Sequence, residues 1–486
     1  MIFDDFALSA PAIAIFAIVL WISAIYLKTP KNLPPGPREI PFLGYLPFLT
    51  RKPHLAFTKL QKKYGDIFTI SIAKERVVVL SSFKLIKEAF QQSDKFMERP
   101  NSFSDLLTFD SIEGMLGNGG AQRKELRHFS LSTLRQLGMG KASLEPKIQD
   151  EILYLVNSIK NLGGKPAYLR DMIKTSITNI MCTIMYGNRL DYNNDEFQQL
   201  LQLSNNFVSS LGIDKLSQYL PEFLINLLGI TKPKDFGTML YRKILNEVQK
   251  YDKIHDGVNS QLSFIDAWRT EAEKPNSNTA NFNEKKLAKI LSELFIAGSH
   301  TTSTTLQWAL LYLTKYPNVQ TKLQKEIDDV IGKERQPSMT DQKLMPYTQA
   351  TILELNRIIS LAPLLTPHCS TDDTTLAGYF IPKDTTIHGN VWAIHHNPEL
   401  FPEPECFKPE RFLTEDNKVT PIEESIPFSI GKRVCVGEAL ARMQLFLYIT
   451  TFLQHFSFTS SENVSFDYIY AIVLEPLNQK ICATMR

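Results

Sequence analysis

Phe428-Ser429-Ile430-Gly431-Lys432-Arg433-Val434-Cys435-Val436-Gly437 is the stretch that decides the reading of this chain. Two glycines bracket a short segment with one cysteine, and a helical pattern, Glu438–Phe452, follows at once. The segment reads as a loop that presents a single thiol at a helix N-terminus. Free backbone N–H groups and the helix dipole there favour a thiolate, and Arg433 adds positive charge nearby. Such a sulfur suits a soft metal or a nucleophilic role. A nucleophile would need a histidine partner that the sequence does not single out. A buried structural cysteine is the plain alternative.

Upstream, Glu284 to Tyr316 carries Leu287, Ile290, Leu291, Leu294, Ala297, Gly298, Thr301 and Thr302 at helical spacing. Asn283 is placed to cap this helix and Pro317 to end it. About 33 residues make it long enough to cross a whole domain. Its middle, Gly298 to Thr305, is rich in poor helix formers whose hydroxyls can bond to carbonyls of the preceding turn. That stretch is either a locally weak helix or a helix opened over a reacting group. Helical patterns dominate elsewhere. Short β-type runs fall at Asp66–Ile72, Arg76–Leu80 and Thr385–His388 and near the C-terminus, and Lys274–Asn283 reads as a surface loop. No repeat or Gly/Ser linker interrupts the body.

The 486 residues, 43% hydrophobic and 21% charged, suffice for a large core. With 53 basic and 51 acidic residues the formal charge is +2, which excludes the basic field that drives nucleic-acid binding. Cysteines 182, 369, 406, 435 and 482 form no CxxC pair. This argues against a disulfide framework or structural zinc and fits reduced thiols facing the cytosol. Phe6 to Leu27 is a 22-residue run without a charge. As a helix it reaches about 33 Å, enough to cross a bilayer core. Asp4 and Asp5 precede it and Lys28 and Lys31 follow, so the remainder should face the cytosol. A cleaved signal peptide would want a basic start. Pro34-Pro35-Gly36-Pro37 then reads as a stiff elbow. The expected organisation is an anchor over 1–28, an elbow over 29–40 and one body over 41–486.

The cysteine segment matches the F-x-x-G-x-R-x-C-x-G haem-binding signature of the cytochrome P-450 family at all five fixed positions. By chance this should occur in on the order of one chain in ten thousand. The resemblance implies that Cys435 is the axial thiolate of haem b iron, the metal ligand. It implies that Gly431 and Gly437 let backbone approach the ring and its sulfur, that Phe428 shields the sulfur, and that Arg433 reaches a propionate. Other segments agree in the family's order. Glu354 and Arg357 share a helix face, and Pro409-Glu410-Arg411-Phe412 resembles the segment whose arginine completes a structural triad with that pair. His368 after Pro367 is similar to a propionate-contacting position. Gly378–Lys383 and Asn390–His395 match the family's β-region and following helix. The resemblance covers essentially the whole chain and is to the microsomal, membrane-anchored type. It implies a mainly α fold with a smaller β region, preceded by one N-terminal transmembrane helix.

Two departures from the family pattern matter. The central helix usually reads A-G-x-acid-T; here it is Ala297-Gly298-Ser299-His300-Thr301. A thiolate ligand favours O–O cleavage, and cleavage needs two protons. Thr301 would hold the proton-donating water. His300 either replaces the acid as relay, since an imidazole titrates near pH 6.5, or points away and leaves the work to water. Second, W-x-x-x-R becomes Arg123-Lys124-Glu125-Leu126-Arg127. Arg127 is expected to contact haem. Arg123 either keeps a donor for a propionate or turns to solvent beside Lys124.

By the same resemblance, substrate contacts fall at Phe103, Leu106, Leu107, Phe109, Asn206, Phe207, Leu294, Thr302, Leu364, Leu365, Ile472 and Val473, with Ala297 and Gly298 beside the haem. They are mostly apolar, which implies a lipophilic sterol, fatty acid or xenobiotic. The apolar stretch Phe223–Ile230 either dips into the membrane surface or is a buried helix. The implied reaction is monooxygenation with O2 as co-substrate. NADPH acts only through a separate membrane-bound reductase, with a cytochrome b-type protein as the candidate second donor. The reductase would dock on a basic face offering Lys124 and Lys432. The implied location is the endoplasmic reticulum membrane, single-pass, with the catalytic body on the cytosolic side. A reductase-independent isomerase or dehydratase, and a non-catalytic haem or lipid carrier, are the alternatives.

Overall fold

The central helix is buried on nearly every side, which is why its apolar pattern has no clean polar face. In a computed structural model that describes residues 30–40, 43–117, 120–212, 227–228, 231–254, 263–275 and 278–486, the helices in chain order are α1 (Pro53–Tyr64), α2 (Phe83–Lys87), α3 (Asn101–Leu106), α4 (Gly120–Gln136), α5 (Glu145–Lys160), α6 (Arg170–Tyr186), α7 (Asp195–Ser210), α8 (Pro233–Ile254), α9 (Phe264–Ala272), α10 (Glu284–Lys315), α11 (Pro317–Val330), α12 (Pro346–Ile359), α13 (Val391–His395) and α14 (Glu438–His455). α10 is the long helix expected from the sequence. The Asn283 side chain accepts from the Lys286 N–H at 3.0 Å, and Pro317 starts the next helix. From Leu287 to Leu313, only Ile296, Ala297, Gly298 and Thr301 escape burial.

α10 packs against α6, α8, α12 and α14. One large apolar cluster joins these helices, with Ile177, Met181, Leu291, Phe295, Leu447 and Phe452 among its members. The β region is small. Strands β1 (Ile67–Ile72), β2 (Glu75–Leu80), β3 (His368–Cys369) and β6 (Thr386–Gly389) form a sheet of order β1-β2-β6-β3. β1 and β2 are antiparallel, Ile67 facing Leu80, whereas β2 and β6 run parallel, Val77 facing Thr386. The unbroken run Val77-Val78-Val79-Leu80 is wholly buried, as a central strand covered on both faces requires. Two-stranded pairs complete the region: β4 (Thr374–Leu376) with β5 (Tyr379–Ile381), β7 (Phe456–Thr459) with β10 (Cys482–Met485), and β8 (Tyr468–Tyr470) with β9 (Leu474–Pro476).

The expected anchor, Phe6–Leu27, lies outside the described residues. Among those described, no helix is long and apolar enough to cross a membrane. The elbow is bound to the sheet rather than standing clear of it. Thr69 N–H donates to the Pro35 carbonyl at 2.8 Å and Phe380 N–H to that of Asn32 at 2.8 Å. A side chain at Gly36 would put its Cβ 2.0 Å from the Thr69 oxygen. Of Phe223–Ile230 only Leu227 and Leu228 are described, and both are exposed.

Candidate functional site

Cys435 ends the loop that leads into α14, and its side chain is accessible. The loop is closed by two backbone hydrogen bonds, Cys435 N–H to the Phe428 carbonyl at 3.0 Å and Val434 N–H to that of Gly431 at 3.1 Å. Gly431 has φ +80°, and a Cβ there would sit 1.9 Å from the Phe90 carbonyl oxygen. This glycine therefore lets the loop pack on the helical turn Glu88–Gln92. At Gly437 an added Cβ meets nothing within 4 Å, so the side beside the sulfur is open. The Phe428 ring takes the Arg442 guanidinium at 5.0 Å.

Burial pushes the Cys435 thiol up and Glu438 adds to this, while the N–H groups of Gly437 and Glu438 at the helix start and the charge of Arg127 pull it down. A cation bound at the sulfur would act with the helix start and Arg127 to keep it ionised. Among the described residues no three His, Cys, Asp or Glu side chains gather to hold a bare metal ion. A metal at Cys435 would therefore have to bring its other ligands with it.

Beside the loop four guanidiniums gather, two of them, Arg123 and Arg433, within 4 Å of the Glu98 carboxylate. Arg433 donates to the carbonyls of Met97 (2.9 Å), Gly117 (3.1 Å) and Met115 (3.5 Å) and lies 3.8 Å from Glu98. Arg123 is buried, not turned to solvent, 3.5 Å from Glu98, and its Nε has no partner. Arg127 donates to the Val434 carbonyl at 2.5 Å. Arg99 donates to the carbonyls of Thr366 and Pro367 at 3.1 and 2.7 Å. Burial and mutual repulsion push Arg433 down to about 10 and lower Arg99 and Arg127. This concentration of positive charge and the orphaned Nε donor of Arg123 fit a dianionic group, which is what two haem propionates present. Arg99 was not anticipated from the sequence. His368 lies close by. Its Nδ1 donates to the Phe96 carbonyl at 2.6 Å and its ring stacks on Phe90 at 3.7 Å. Burial holds His368 well below the usual histidine range, so the neutral ring offers an acceptor rather than a donor on Nε2.

On α10 the hydroxyls bond back as expected, but the helix stays continuous and is not opened. Thr301 Oγ1 donates to the Ala297 carbonyl at 2.8 Å, Ser303 to that of Ser299 at 2.8 Å and Thr305 to that of Thr301 at 3.0 Å. Thr301 Oγ1 thus keeps its lone pairs as an acceptor on the accessible stretch. Gly298 is packed against α6, where a Cβ would come 2.6 Å from the Met181 sulfur. His300 is buried and its Nδ1 meets Lys174 Nζ at 2.9 Å, while Nε2 has no partner. Burial, then Lys174 and Arg170, hold His300 well below 6.5. The imidazole is neutral throughout the physiological range and does not titrate there as the sequence suggested. Lys174, pushed down to about 8 by burial, does. It lies on the wall of a polar cleft of about 510 Å³ with Asp171, Asp195, Gln198 and Gln202.

Glu354, Arg357 and Arg411 meet in one buried cluster. Arg357 grips Glu354 through Nε (2.6 Å) and a terminal nitrogen (2.8 Å), and Arg411 Nε reaches Glu354 at 3.0 Å. The two arginines also cap the carbonyls of His395, Pro402, Glu403, Pro404 and Cys406.

The expected substrate positions divide. Phe103, Leu106 and Ile472 keep some surface. Leu107, Leu294, Thr302, Leu364, Leu365 and Val473 are buried. Phe109 is wholly buried, edge-on to Phe207 at 5.7 Å. Asn206 is exposed. Leu365 has φ +48°, a strained conformation for a branched side chain.

One accessible thiol just before α14, with a cluster of arginines beside its loop, fits a haem-thiolate protein. The family model described as Cytochrome P450 matches residues 34–483. The chain is 37% identical over 479 residues to cytochrome P450 2J3 of Rattus norvegicus, covering 97% of this chain and 95% of that one. It is 37% identical to cytochrome P450 2J2 of Homo sapiens over 478 residues (96% and 94%) and 36% identical to cytochrome P450 2U1 of Rattus norvegicus over 486 (93% and 90%). The chain belongs to the cytochrome P450 family. It is a haem-thiolate monooxygenase of lipophilic small molecules that uses O2 and takes electrons from a reductase.

Proposed function

We propose that Cys435, as thiolate, holds the haem iron, and that Arg99, Arg123, Arg127 and Arg433 receive the propionates. Bound haem supplies the activation of O2 and the insertion of one oxygen atom into substrate, with two electrons and two protons consumed. The protein residues do the rest. Thr301 Oγ1, its proton spent on Ala297, accepts from a water and orients it as donor. Lys174 takes protons from the polar cleft and donates to Nδ1 of neutral His300; a proton gained at Nδ1 would leave from Nε2 to a water placed between it and the water at Thr301, so the pair rather than His300 alone stands where the family has an acid. Glu354, Arg357 and Arg411 fix the segment that precedes the cysteine loop. The substrate is a sterol, fatty acid or xenobiotic held by the apolar side chains of the 101–117 segment and α10.

Electrons come from the NADPH-dependent haemoprotein reductase, with a cytochrome b-type second donor, docked where Lys124 and Lys432 are exposed; Lys432 is paired there with Asp94. Residues 1–28 anchor a single body to the endoplasmic reticulum membrane, with that body on the cytosolic side. Protease protection of sealed microsomes tests the topology.

The observation that carries the proposal is one accessible thiol just before α14 beside a cluster of four guanidiniums, two of which share Glu98. The test is the absorption of the purified, reduced protein under carbon monoxide, followed by turnover with NADPH and reductase. A thiolate-type band lost in Cys435→His is expected. A band typical of imidazole-bound iron in folded wild-type protein, or turnover of a peroxide substrate without reductase, overturns it.

A further inference from the structure

The 101–117 segment is held down by α10 through a buried charge pair that the oxygenation chemistry does not use. Lys289 and Glu293 are one turn apart, with side chains 0% and 1% exposed and 2.8 Å between Nζ and Oε1. The other carboxylate oxygen accepts the Met115 N–H at 2.8 Å. Gly114 is shaped to this contact, since a Cβ there would lie 2.2 Å from Oε1. Lys289 Nζ sits 4.1 Å over the Phe109 ring, which is edge-on to Phe207 and pressed on Gly237, where a Cβ would come 2.3 Å from it. Between these two attachments the turn Phe109–Ile112 places Asp110 and Ser111 at φ +46° and +62°, left-handed without glycine. Asp110 suits that conformation and is tied to Arg242 by two bonds of 2.7 Å, so the strain falls on Ser111.

A buried pair of this kind adds little net stability over an apolar pair of the same size. Its value is geometric, because it fixes two points of one loop to one helix turn. We propose that Lys289 and Glu293 are positioning residues that set where the 101–117 wall of the substrate cavity stands, and so which ligand sizes are admitted and how fast. This rests on the proposed placement of substrate along that segment.

The experiment uses the full-length haem protein, accepted only when its reduced carbon monoxide band is of thiolate type. Failure of that control falls on the proposed function and not on the latch. Two readouts follow: hydrogen exchange at the Met115 amide, and stopped-flow association of imidazole, 1-butylimidazole and 1-dodecylimidazole. In Glu293→Ala, Met115 exchange should accelerate about ten- to hundredfold, the range for losing a hydrogen bond to a charged group. The association-rate difference between the short and long ligands should shrink. The double variant Lys289→Met with Glu293→Gln keeps an acceptor for Met115 without charge and should restore both. If Glu293→Ala does not yield haem protein, the double variant Lys289→Met with Glu293→Leu, which removes the acceptor for Met115 and leaves no charge of this pair buried, is read the same way. Wild-type ligand discrimination in a variant whose Met115 exchange has accelerated overturns the proposal, as does unchanged exchange.

Discussion

Removing Glu354 offers the most direct test of how the cysteine loop is held. Its carboxylate accepts four hydrogen bonds, two from Arg357 (2.6 and 2.8 Å), one from Arg411 Nε (3.0 Å) and one from the Lys408 N–H (2.9 Å). Glu354 and Arg357 have side chains 0% exposed. In Glu354→Ala, Arg357 would remain buried with no anion, held only by the carbonyls of His395 and Pro404. Breaking a buried pair from one side costs about 3–5 kcal/mol. At 1.4 kcal/mol per decade, the opened population should rise by roughly two to three and a half orders of magnitude. Proteolysis tracks that population when reclosure is fast, so cleavage within 395–412 of the purified haem protein is the assay. Haem loss should follow the same rate. The double variant Glu354→Leu with Arg357→Met, which removes both charges of the fully buried pair and leaves Arg411 to its carbonyl partners, should recover part of the loss. A rise in cleavage of less than tenfold in Glu354→Ala, with haem retained, would refute the view that this cluster holds the segment before the cysteine.

Gly431→Ala should abolish recovery of haem protein, because its Cβ would overlap the Phe90 carbonyl. Gly437→Ala meets no protein atom and should retain native helix content by circular dichroism. Burial pushes His54 and His396 down to about 3 and His388 to about 4, and holds His300 and His395 well below 6.5. Their folded values lie below the unfolded one, so their stability is intact above pH 6.5 and falls as pH drops toward about 4. Unfolding midpoints in urea from pH 7.5 to 4.5 should show net proton uptake on unfolding over that window. With Lys174 pushed down to about 8, coupling of NADPH use to product should decline as pH rises through about 8. That limb should be absent in Lys174→Met, and a profile identical to wild type would remove Lys174 from the proton route. Arg123→Ala should weaken haem retention about tenfold or more in transfer to a competing haem acceptor, whereas Lys124→Ala should leave it unchanged.

The parts of this site that were legible in the sequence are those whose partners are near in the chain. The cysteine loop, α10 with its Asn283 cap, and the Glu354–Arg357 pair all rest on spacings of a few residues. The strands were legible to within a residue or so at their ends. β2 begins at Glu75 rather than Arg76, and β6 spans Thr386–Gly389 rather than Thr385–His388. What was not legible depends on contacts far apart in sequence. Arg99 matters because Arg433 stands beside it, and Lys174 because His300 does, and neither pairing leaves a periodicity. Lys174 did carry one signal, since it shares a helix face with Ile177 and Met181, where a charge needs an explanation. Gly298 and Gly431 were assigned to the haem side by resemblance, and the sequence did not name their protein neighbours, Met181 and Phe90. N–H donors beside Cys435 can be counted along a chain, but the desolvation that opposes them cannot.

The parallel pairing of β2 with β6 has a consequence for biosynthesis. The inner edge of the first hairpin finds its mate only when residues 386–389 have been made, about 300 residues after Leu80 leaves the ribosome. At about 5–20 residues per second, that edge of valines waits roughly 15–60 s unpaired. Nascent chains of this enzyme must therefore depend on holding factors through most of translation, and a ribosome stalled before codon 389 should yield aggregates rather than a stable amino-terminal fragment.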